Sequence, residues 1–168
     1  MTVSDDTFRR VMRRWGTGVT VVTVRHGNEV RAILVTSFLS VSIDPPTVLV
    51  SIRRGGETHR LLEAGKVFAV NLLNDGQADL AHRLGYAGDE TLRSLRGVAH
   101  HFGTTGAPIF DDSMAWLDCR VIDQHETKDH TLYIGLVEAG DEIDSHPLVH
   151  WERRFWRLDT VHTLTTSD

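Results

Sequence analysis

The sequence predicts a mainly β domain in which antiparallel strands form a barrel or a sandwich and a few helices pack outside it. Segments with strand character outnumber helical segments by about two to one. Short connections join most of these segments, which favours antiparallel neighbours. The 168 residues, of which 40% are hydrophobic and 24% are charged, have the length and composition of one globular domain.

An amphipathic helix is predicted at the start of the chain. Ser4 and the two acidic residues after it suit the first turn of a helix. Apolar side chains then recur at helical spacing, and Gly16 and Gly18 are expected to end the helix. We expect its basic side to face solvent or another subunit. The apolar stripe consists of Phe8, Val11, Met12 and Trp15, and the basic side of Arg9, Arg10, Arg13 and Arg14.

Strands follow the helix and are separated by turn signals. The sequence His26-Gly27-Asn28-Glu29 predicts a hairpin between the first two strands. Asp44-Pro45-Pro46 is expected to end the third strand, because proline donates no backbone hydrogen bond. The predicted strands cover residues 17–25, 30–37, 38–43, 47–52, 67–73, 114–125 and 130–139, with short closing segments at 147–151 and 155–158.

Two short helices are predicted between these strands. The first covers residues 58–64, where Thr58 offers a cap and Gly65 a stop, and the second covers about residues 77–84. Residues 85–106 are expected to form irregular surface, and residues 159–168 a frayed tail.

Composition and charge argue against several classes of protein. No run approaches ~18 apolar residues, and the first residues lack the apolar core of a signal peptide. The net charge of −5 argues against a general nucleic-acid binder. Cys119 is the single cysteine and cannot form an internal disulfide, which suits a reducing compartment. We therefore expect a cytoplasmic protein that binds neither membrane nor nucleic acid.

A cluster of hydroxyl side chains marks the third predicted strand. Thr36, Ser37, Ser40 and Ser42 lie within seven residues, and alternation along a strand places Ser40 and Ser42 on one face. Hydroxyl groups and free backbone N–H groups can donate to a phosphate or to the polar edge of a ring. A half-exposed strand with small polar residues on its outer face explains the same pattern.

The loop from Arg53 to Glu57 has the character of an anion-binding site. Its glycines can turn backbone amides inward, and the start of a helix and two arginines add positive charge. The loop lacks the ending of a P-loop, and no G-x-G-x-x-G follows a strand. A solvated turn with two surface arginines is the alternative.

Histidines and aromatic residues supply further candidates. His130 lies at the tip of a predicted hairpin, where it could bind a substrate amide or move a proton, or be an ordinary turn residue. His125 with Asp111 and Asp112 lacks the spacing of a metal site, so we predict no metal. The aromatic residues of the closing segments could be core, a dimer contact or a lid over a flat ligand.

Taken in order, these pieces resemble the flavin reductase family. Its members are small NAD(P)H:flavin oxidoreductases that resemble the reductase components of two-component monooxygenases. The similarity covers about residues 8–158. The matching pieces are Phe8-Arg9-Arg10, the run from Gly16 to Thr23, the run from Thr36 to Pro46, the run from Phe68 to Leu73, Gly106-Ala107-Pro108, Cys119 in its strand, Asp129-His130, Ile134-Gly135 and Pro147-Leu148.

The resemblance implies a fold and a set of site residues. The fold is an FMN-binding split β-barrel, antiparallel and Greek-key-like, and the protein is a homodimer with flavin sites near the subunit interface. Val35, Thr36 and Ser37 would line the isoalloxazine ring. His130 would lie near the nicotinamide as the catalytic residue, and His150 and Trp151 would meet the nicotinamide nucleotide. The ribityl chain and phosphate would be held by Ser40, Ser42, Ser51, Ile52, Arg53, Arg54, Gly55, Gly56 and Glu57.

The resemblance also implies an activity. The protein would use NADH or NADPH to reduce free FMN or FAD and would supply the reduced flavin to a partner monooxygenase. Two alternatives stay open. One is a split-barrel flavoprotein that keeps FMN bound and acts on its own small organic substrate, and the other is a flavin-binding module without enzymatic activity.

Overall fold

A computed structural model describes residues 2–86 and 94–158 of the chain. In these residues the chain forms three α-helices, one short 3-10 turn at Asp75–Gln77 and twelve strands. The helices are α1 (Asp5–Met12), α2 (Glu57–Gly65) and α3 (Ala78–Tyr86). The strands are β1 (Thr17–Gly18), β2 (Thr20–His26), β3 (Glu29–Val35), β4 (Phe38–Ile43), β5 (Pro46–Arg53), β6 (Val67–Leu72), β7 (His100–Phe102), β8 (Pro108–Phe110), β9 (Ala115–Glu126), β10 (His130–Glu142), β11 (Leu148–Trp151) and β12 (Arg154–Arg157).

Seven strands form the main sheet, in the order β3-β2-β6-β9-β10-β5-β4, and every neighbouring pair is antiparallel. The two edge strands are consecutive in the chain, because only Thr36 and Ser37 separate the end of β3 from the start of β4. Three residue steps span at most roughly 11 Å. The sheet must therefore curl until its edges meet at this end, which produces a barrel that is split between β3 and β4. The predicted fold class is confirmed.

Two smaller sheets flank the barrel. β11 lies between β1 and β12, and the β1–β11 pairing places Thr17 opposite His150. β7 pairs with β8. Both smaller sheets are built from strands of two to four residues. The three-residue strand β7 falls where the sequence predicts irregular surface, and β8 follows that stretch, where no element is predicted. Segments this short give no clear alternation.

The largest apolar cluster joins α2 to the strands of the barrel. Phe68 and Tyr133 are its largest fully buried rings. Gly135 on β10 allows the close packing of Phe68, because a Cβ at residue 135 would lie 2.5 Å from Phe68 Cζ. A second cluster packs α3 against β2, β8 and β11. Cys119 is fully buried, and burial raises the pKa of its thiol to about 12.

The helix α2 begins and ends differently from the prediction. The N-cap residue of α2 is Gly56, so the prediction that Thr58 caps this helix is wrong. The left-handed residue at its C-terminus is Lys66, with φ 54°, rather than Gly65. Gly65 has another reason to be glycine, because a Cβ there would collide with the carbonyl oxygen of Arg25. Close approach of α2 to β2, and not a helix stop, therefore requires this glycine.

The helix α1 begins after its Ser4 cap, as predicted, but ends at Met12 rather than at the glycines. In this fully described helix no side chain is buried, and its apolar stripe faces outward. Residues 159–168, predicted to be a tail, lie outside the described residues. Among the helices of the described ranges, none is long and apolar enough to cross a membrane.

Candidate functional site

A cationic cavity of about 380 Å³ lies where β5 passes into α2. The loop from Arg53 to Glu57 forms one wall, as the sequence predicts for an anion site, and Gly55 turns it with φ 84°. Gly56 supplies no side-chain cap to α2. The amides of the first turn therefore remain available to an anion, and the helix dipole favours negative charge there.

The two arginines of this loop have different roles. Arg54 forms an ion pair with Glu126 at 3.0 Å and donates to the carbonyl oxygen of Thr127 at 3.3 Å, so its side chain is tied to the β9–β10 hairpin. Arg53 is exposed and makes no side-chain hydrogen bond or ion pair within the described residues. Arg53 is therefore the guanidinium that is available to a bound phosphate.

His130 lies directly opposite Arg53 in the ladder between β5 and β10. Its Nδ1 is 3.0 Å from the carboxylate of Asp129, and the side chain of His130 is 39% exposed. The hydrogen bond from His130 and the charges of His130 and Arg53 lower the pKa of Asp129. Asp129 thus stays ionised and orients the imidazole, which leaves Nε2 as the ring nitrogen that can meet a ligand.

The acidic residue of the loop is paired. Arg60 donates to the carboxylate of Glu57 at 2.8 Å and to that of Glu29 at 2.6 Å. The hydrogen bond from Arg60 is the main reason that the pKa of Glu57 is lowered. Because Arg60 compensates this carboxylate, the negative charge of Glu57 opposes an anion in the cavity less than an unpaired carboxylate would.

Hydroxyl residues lie near Arg53 on β5 and in the segment between β3 and β4. Ser51 lies two residues before Arg53 on β5, a separation of roughly 7 Å along an extended strand. Ser37 donates from Oγ to the carbonyl oxygen of Ser51 at 3.0 Å, and the carbonyl oxygen of Ser37 accepts from the backbone N–H of Ser51 at 3.3 Å. Thr36, next to Ser37, lines a second cavity.

The second cavity has a volume of about 290 Å³ and mostly apolar walls, among them Trp15, Phe38, Leu72 and Pro147. β1 forms one side of it through Thr17 and Gly18. The pairing of β1 with β11 sets His150 beside this side of the cavity, and Trp151 lies within van der Waals reach of Gly16. Burial lowers the pKa of His150, which favours its neutral form.

The structure thus gathers most of the predicted site residues around two cavities and the Ser37–Ser51 contact, which is next in sequence to the lining residues Thr36 and Ile52. Val35 is buried at the end of β3, and Ile52 lines the cationic cavity. His150 and Trp151 lie beside the apolar cavity rather than beside His130. The residues around the cationic cavity and its connecting hydroxyls are Thr36, Ser37, Ser51, Ile52, Arg53, Arg54, Gly55, Gly56, Glu57 and His130.

Ser40 and Ser42 lie apart from this group. Ser40 pairs with Val48 and Ser42 with Thr47, with a register shift between them. These partners precede Arg53 on β5 by five and six positions, which corresponds to roughly 17 to 20 Å. The hydroxyl of Ser42 also hydrogen-bonds within its own turn, to the carbonyl oxygen of Pro45 and to Thr47 Oγ1.

Several lining residues were not predicted as site residues. Trp15 was assigned to the apolar stripe of a helix, and Thr17 to the start of a strand. His59 lines the cationic cavity, with Nε2 3.2 Å from Thr131 Oγ1. The one feature of the sequence that could have indicated any of these site residues is the pair of glycines that flanks Thr17, because glycines allow a ligand to approach the backbone closely.

The two cavities and their connection have the shape of one kind of ligand. A flat apolar ring suits the walls of the apolar cavity, a short polyol suits the hydroxyl residues, and a phosphate suits Arg53 and the start of α2. A split β-barrel with such a site defines a flavin-binding class of protein. Comparison with known sequences shows which family of that class the chain belongs to. The model of the flavin reductase like domain matches residues 12–159, and the chain belongs to this family.

Relatives and solved structures agree with this assignment. The chain is 31% identical over 160 residues to the reductase subunit HsaB of a flavin-dependent monooxygenase from Mycobacterium tuberculosis. This alignment covers 94% of this chain and 84% of the relative. It is 39% identical over 153 residues to the NADH-dependent FMN reductase AsuE2 of Streptomyces nodosus subsp. asukaensis, covering 85% and 79% of the two chains.

Among solved structures, the NADH:FAD oxidoreductase SgcE6 of Streptomyces globisporus superposes with a TM-score of 0.84 at 32% identity. The superposition covers 95% of this chain and 97% of that one. These comparisons confirm the predicted family, the split-barrel fold and the predicted enzyme class of flavin reductase.

Proposed function

We propose that this protein uses NADH to reduce a free flavin nucleotide, FMN or FAD, and that the reduced flavin passes to a separate oxygenase. The proposal is carried by two cavities whose lining residues Thr36 and Ile52 are next in sequence to Ser37 and Ser51, which hydrogen-bond each other. Arg53 and His130 face each other at the cationic end. The relatives support it, since they include an NADH-dependent FMN reductase and the reductase subunit of a flavin-dependent monooxygenase.

The described residues fit a flavin nucleotide by charge and by shape. Arg53 and the uncapped amides of α2 suit the phosphate, and Ser37 and Ser51 line the path of the polyol. The chemistry that the two ligands supply when bound is the transfer of a hydride from the dihydronicotinamide to the flavin ring. The protein therefore needs to bind and align two flat rings.

His130 is the residue that we assign to the nicotinamide nucleotide. Asp129 holds its Nδ1, so that Nε2 can hydrogen-bond a ligand beside Arg53. We propose that His130 binds this nucleotide beside Arg53 rather than transferring a proton. A hydride transfer between two bound rings requires close approach and alignment more than acid catalysis.

We propose further that the protein is a homodimer in the cytoplasm. Two apolar surfaces support the dimer: the outward stripe of α1, and the exposed Leu39, Val41 and Ile43 on the edge strand β4. An eight-residue helix is not stable by itself, and exposed apolar edge strands favour association. The single buried thiol of Cys119 suits a reducing compartment.

The decisive experiment follows the absorbance of NADH and of NADPH with and without added FMN or FAD. We expect oxidation of NADH only when flavin is present, with turnover exceeding the enzyme concentration. Oxidation without added flavin, by protein that stays yellow after dialysis, would instead establish a flavoprotein with its own substrate. Binding of FMN without any oxidation of either nucleotide would establish a binding module.

A further inference from the structure

The hydroxyl of Thr17 differs from the other buried threonine hydroxyls at the same end of the barrel. Thr20 donates from Oγ1 to the carbonyl oxygen of Val35 at 2.7 Å, and Thr23 donates to the carbonyl oxygen of Pro108. Thr17 Oγ1 is buried and has no hydrogen-bond partner in the described ranges. A buried hydroxyl without a partner lowers stability, and folded proteins rarely retain one without a reason.

The position of Thr17 supplies a reason. Thr17 lines the apolar cavity, on the strand β1 that pairs with β11. The other walls of that cavity are largely apolar, with Trp15 and Phe38 as its aromatic members. Thr20 and Thr36 also line the cavity, but the hydroxyl of Thr20 already donates to the carbonyl oxygen of Val35. A buried hydroxyl that still needs a partner, as in Thr17, orients a flat ligand, because a polar edge of the ligand must meet it. A change of χ1 rotamer can move the hydroxyl of Thr17 into the position that its methyl group occupies, so the hydroxyl can turn towards a ligand.

The ligand follows from the connection between the two cavities. When Arg53 binds the phosphate, the residues Ser51 and Ser37 lead to Thr36, which lines the same cavity as Thr17. The group at that end of a flavin nucleotide is its ring, whose pyrimidine edge carries two carbonyl groups and one N–H. We propose that the Thr17 hydroxyl hydrogen-bonds this amide-like edge of the flavin ring. The inference rests on the proposed function, since it assigns a residue to its flavin site.

Three variants test this role, with binding measured by quenching of flavin fluorescence for both FMN and riboflavin. In Thr17→Val the shape of the side chain is kept and the hydroxyl is lost. We expect the dissociation constants of FMN and riboflavin to rise together, by roughly threefold to tenfold, because the lost contact is with the ring that both share. Thr17→Ser keeps the hydroxyl and should bind both ligands within about twofold of the wild type.

The melting temperature of the ligand-free protein separates a binding role from a structural one. Thr17→Val should melt at the same temperature as the wild type or a few degrees higher, roughly 2–4 °C at most, because it removes an unsatisfied buried group. Thr23→Val is the matched control, since its hydroxyl is already hydrogen-bonded within the protein. It should melt at a lower temperature and bind FMN with unchanged affinity.

Three results would overturn the assignment of Thr17. One is unchanged binding of both flavins by Thr17→Val. Another is a raised KM for NADH with unchanged flavin binding, which would place the nicotinamide at this hydroxyl. The third is a lowered melting temperature of the ligand-free Thr17→Val protein. Wild-type protein that binds no flavin would refute the proposed function as well, and this result is distinguishable because it requires no variant.

Discussion

Arg53 and His130 face each other across the ladder between β5 and β10. They lie far apart in the sequence, and each belongs to a different predicted role, one for the flavin phosphate and one for the nicotinamide. The antiparallel pairing of β5 with β10 makes them neighbours. Two nucleotides held at this point share one cationic wall, so variants of these residues should separate the binding of one nucleotide from that of the other.

Replacement of Arg53 by alanine tests the phosphate site. Since its guanidinium has no other ion pair in the described residues, we expect Arg53→Ala to weaken FMN binding by roughly tenfold to 100-fold and riboflavin binding by less than about twofold. The measurement is fluorescence titration with each flavin. Arg54→Ala is the matched control, because Arg54 is paired with Glu126. Equal losses for FMN and riboflavin would remove Arg53 from the phosphate site.

His130→Ala tests the nicotinamide site. Loss of the imidazole should raise the KM for NADH by about tenfold while the dissociation constant of FMN changes little, because we assign this side chain to the nicotinamide nucleotide and not to the flavin phosphate. Steady-state kinetics over a range of NADH concentrations provide the measurement. His125→Ala, at an exposed position on β9, is the control and should leave both constants unchanged. An unaltered KM in His130→Ala would contradict the assignment.

Local signals in the sequence predicted much of the fold. The hairpin at Gly27 and the end of the strand at Pro45 depend on residues next to each other, so the local sequence suffices to place them. Strands β7 and β8 were missed because three residues carry no measurable alternation. The outward direction of the α1 stripe could not be predicted either, since its periodicity shows an apolar face but not what covers that face.

In the candidate site, too, local features could be predicted from the sequence and contacts between distant residues could not. The glycines and arginines from residue 53 to residue 57 predicted an anion loop, and the structure places a cavity there. The sequence could not distinguish Arg53 from Arg54, because the ion pair that occupies Arg54 comes from Glu126 on another strand. It also could not identify Thr17, since an unpaired hydroxyl is defined by everything that surrounds it in space.

The contacts of Glu63 make the stability of the folded protein depend on pH in the acidic range. Burial would raise the pKa of Glu63, but hydrogen bonds from Lys66 at 2.8 Å and from the hydroxyl of Tyr133 at 2.5 Å outweigh it and lower the pKa. A carboxyl with a lowered pKa contributes stability above the value of 4.5 for the unfolded chain. That contribution is lost as the pH falls from 4.5 through the folded-state pKa.

Glu63→Gln should therefore unfold more easily than the wild type at neutral pH, by about 1.5–3 kcal/mol, the usual loss for a hydrogen bond to a charged group. The difference between the two should shrink as the pH falls from 4.5 through the folded-state pKa of Glu63, because the wild-type carboxyl becomes protonated. Urea unfolding at several pH values measures both quantities. Glu142→Gln, at an exposed position, is the control. A difference that stays constant with pH would contradict the role of the charge.

The outward stripe of α1 provides a test of the proposed dimer. None of the side chains of α1 is buried in the described part of the subunit, so charged residues there should leave the fold of the subunit intact. The double variant Phe8→Glu with Val11→Glu should raise the dissociation constant of the dimer by roughly 100-fold or more, because an interface that excludes water must then bury two charges. Sedimentation velocity over a range of concentrations measures the shift from dimer to monomer, and circular dichroism verifies folding. Ile122→Glu replaces an exposed apolar residue on β9 and should remain dimeric. A double variant that stays dimeric at low concentration would exclude α1 from the interface and leave the β4 edge as the surface to test next.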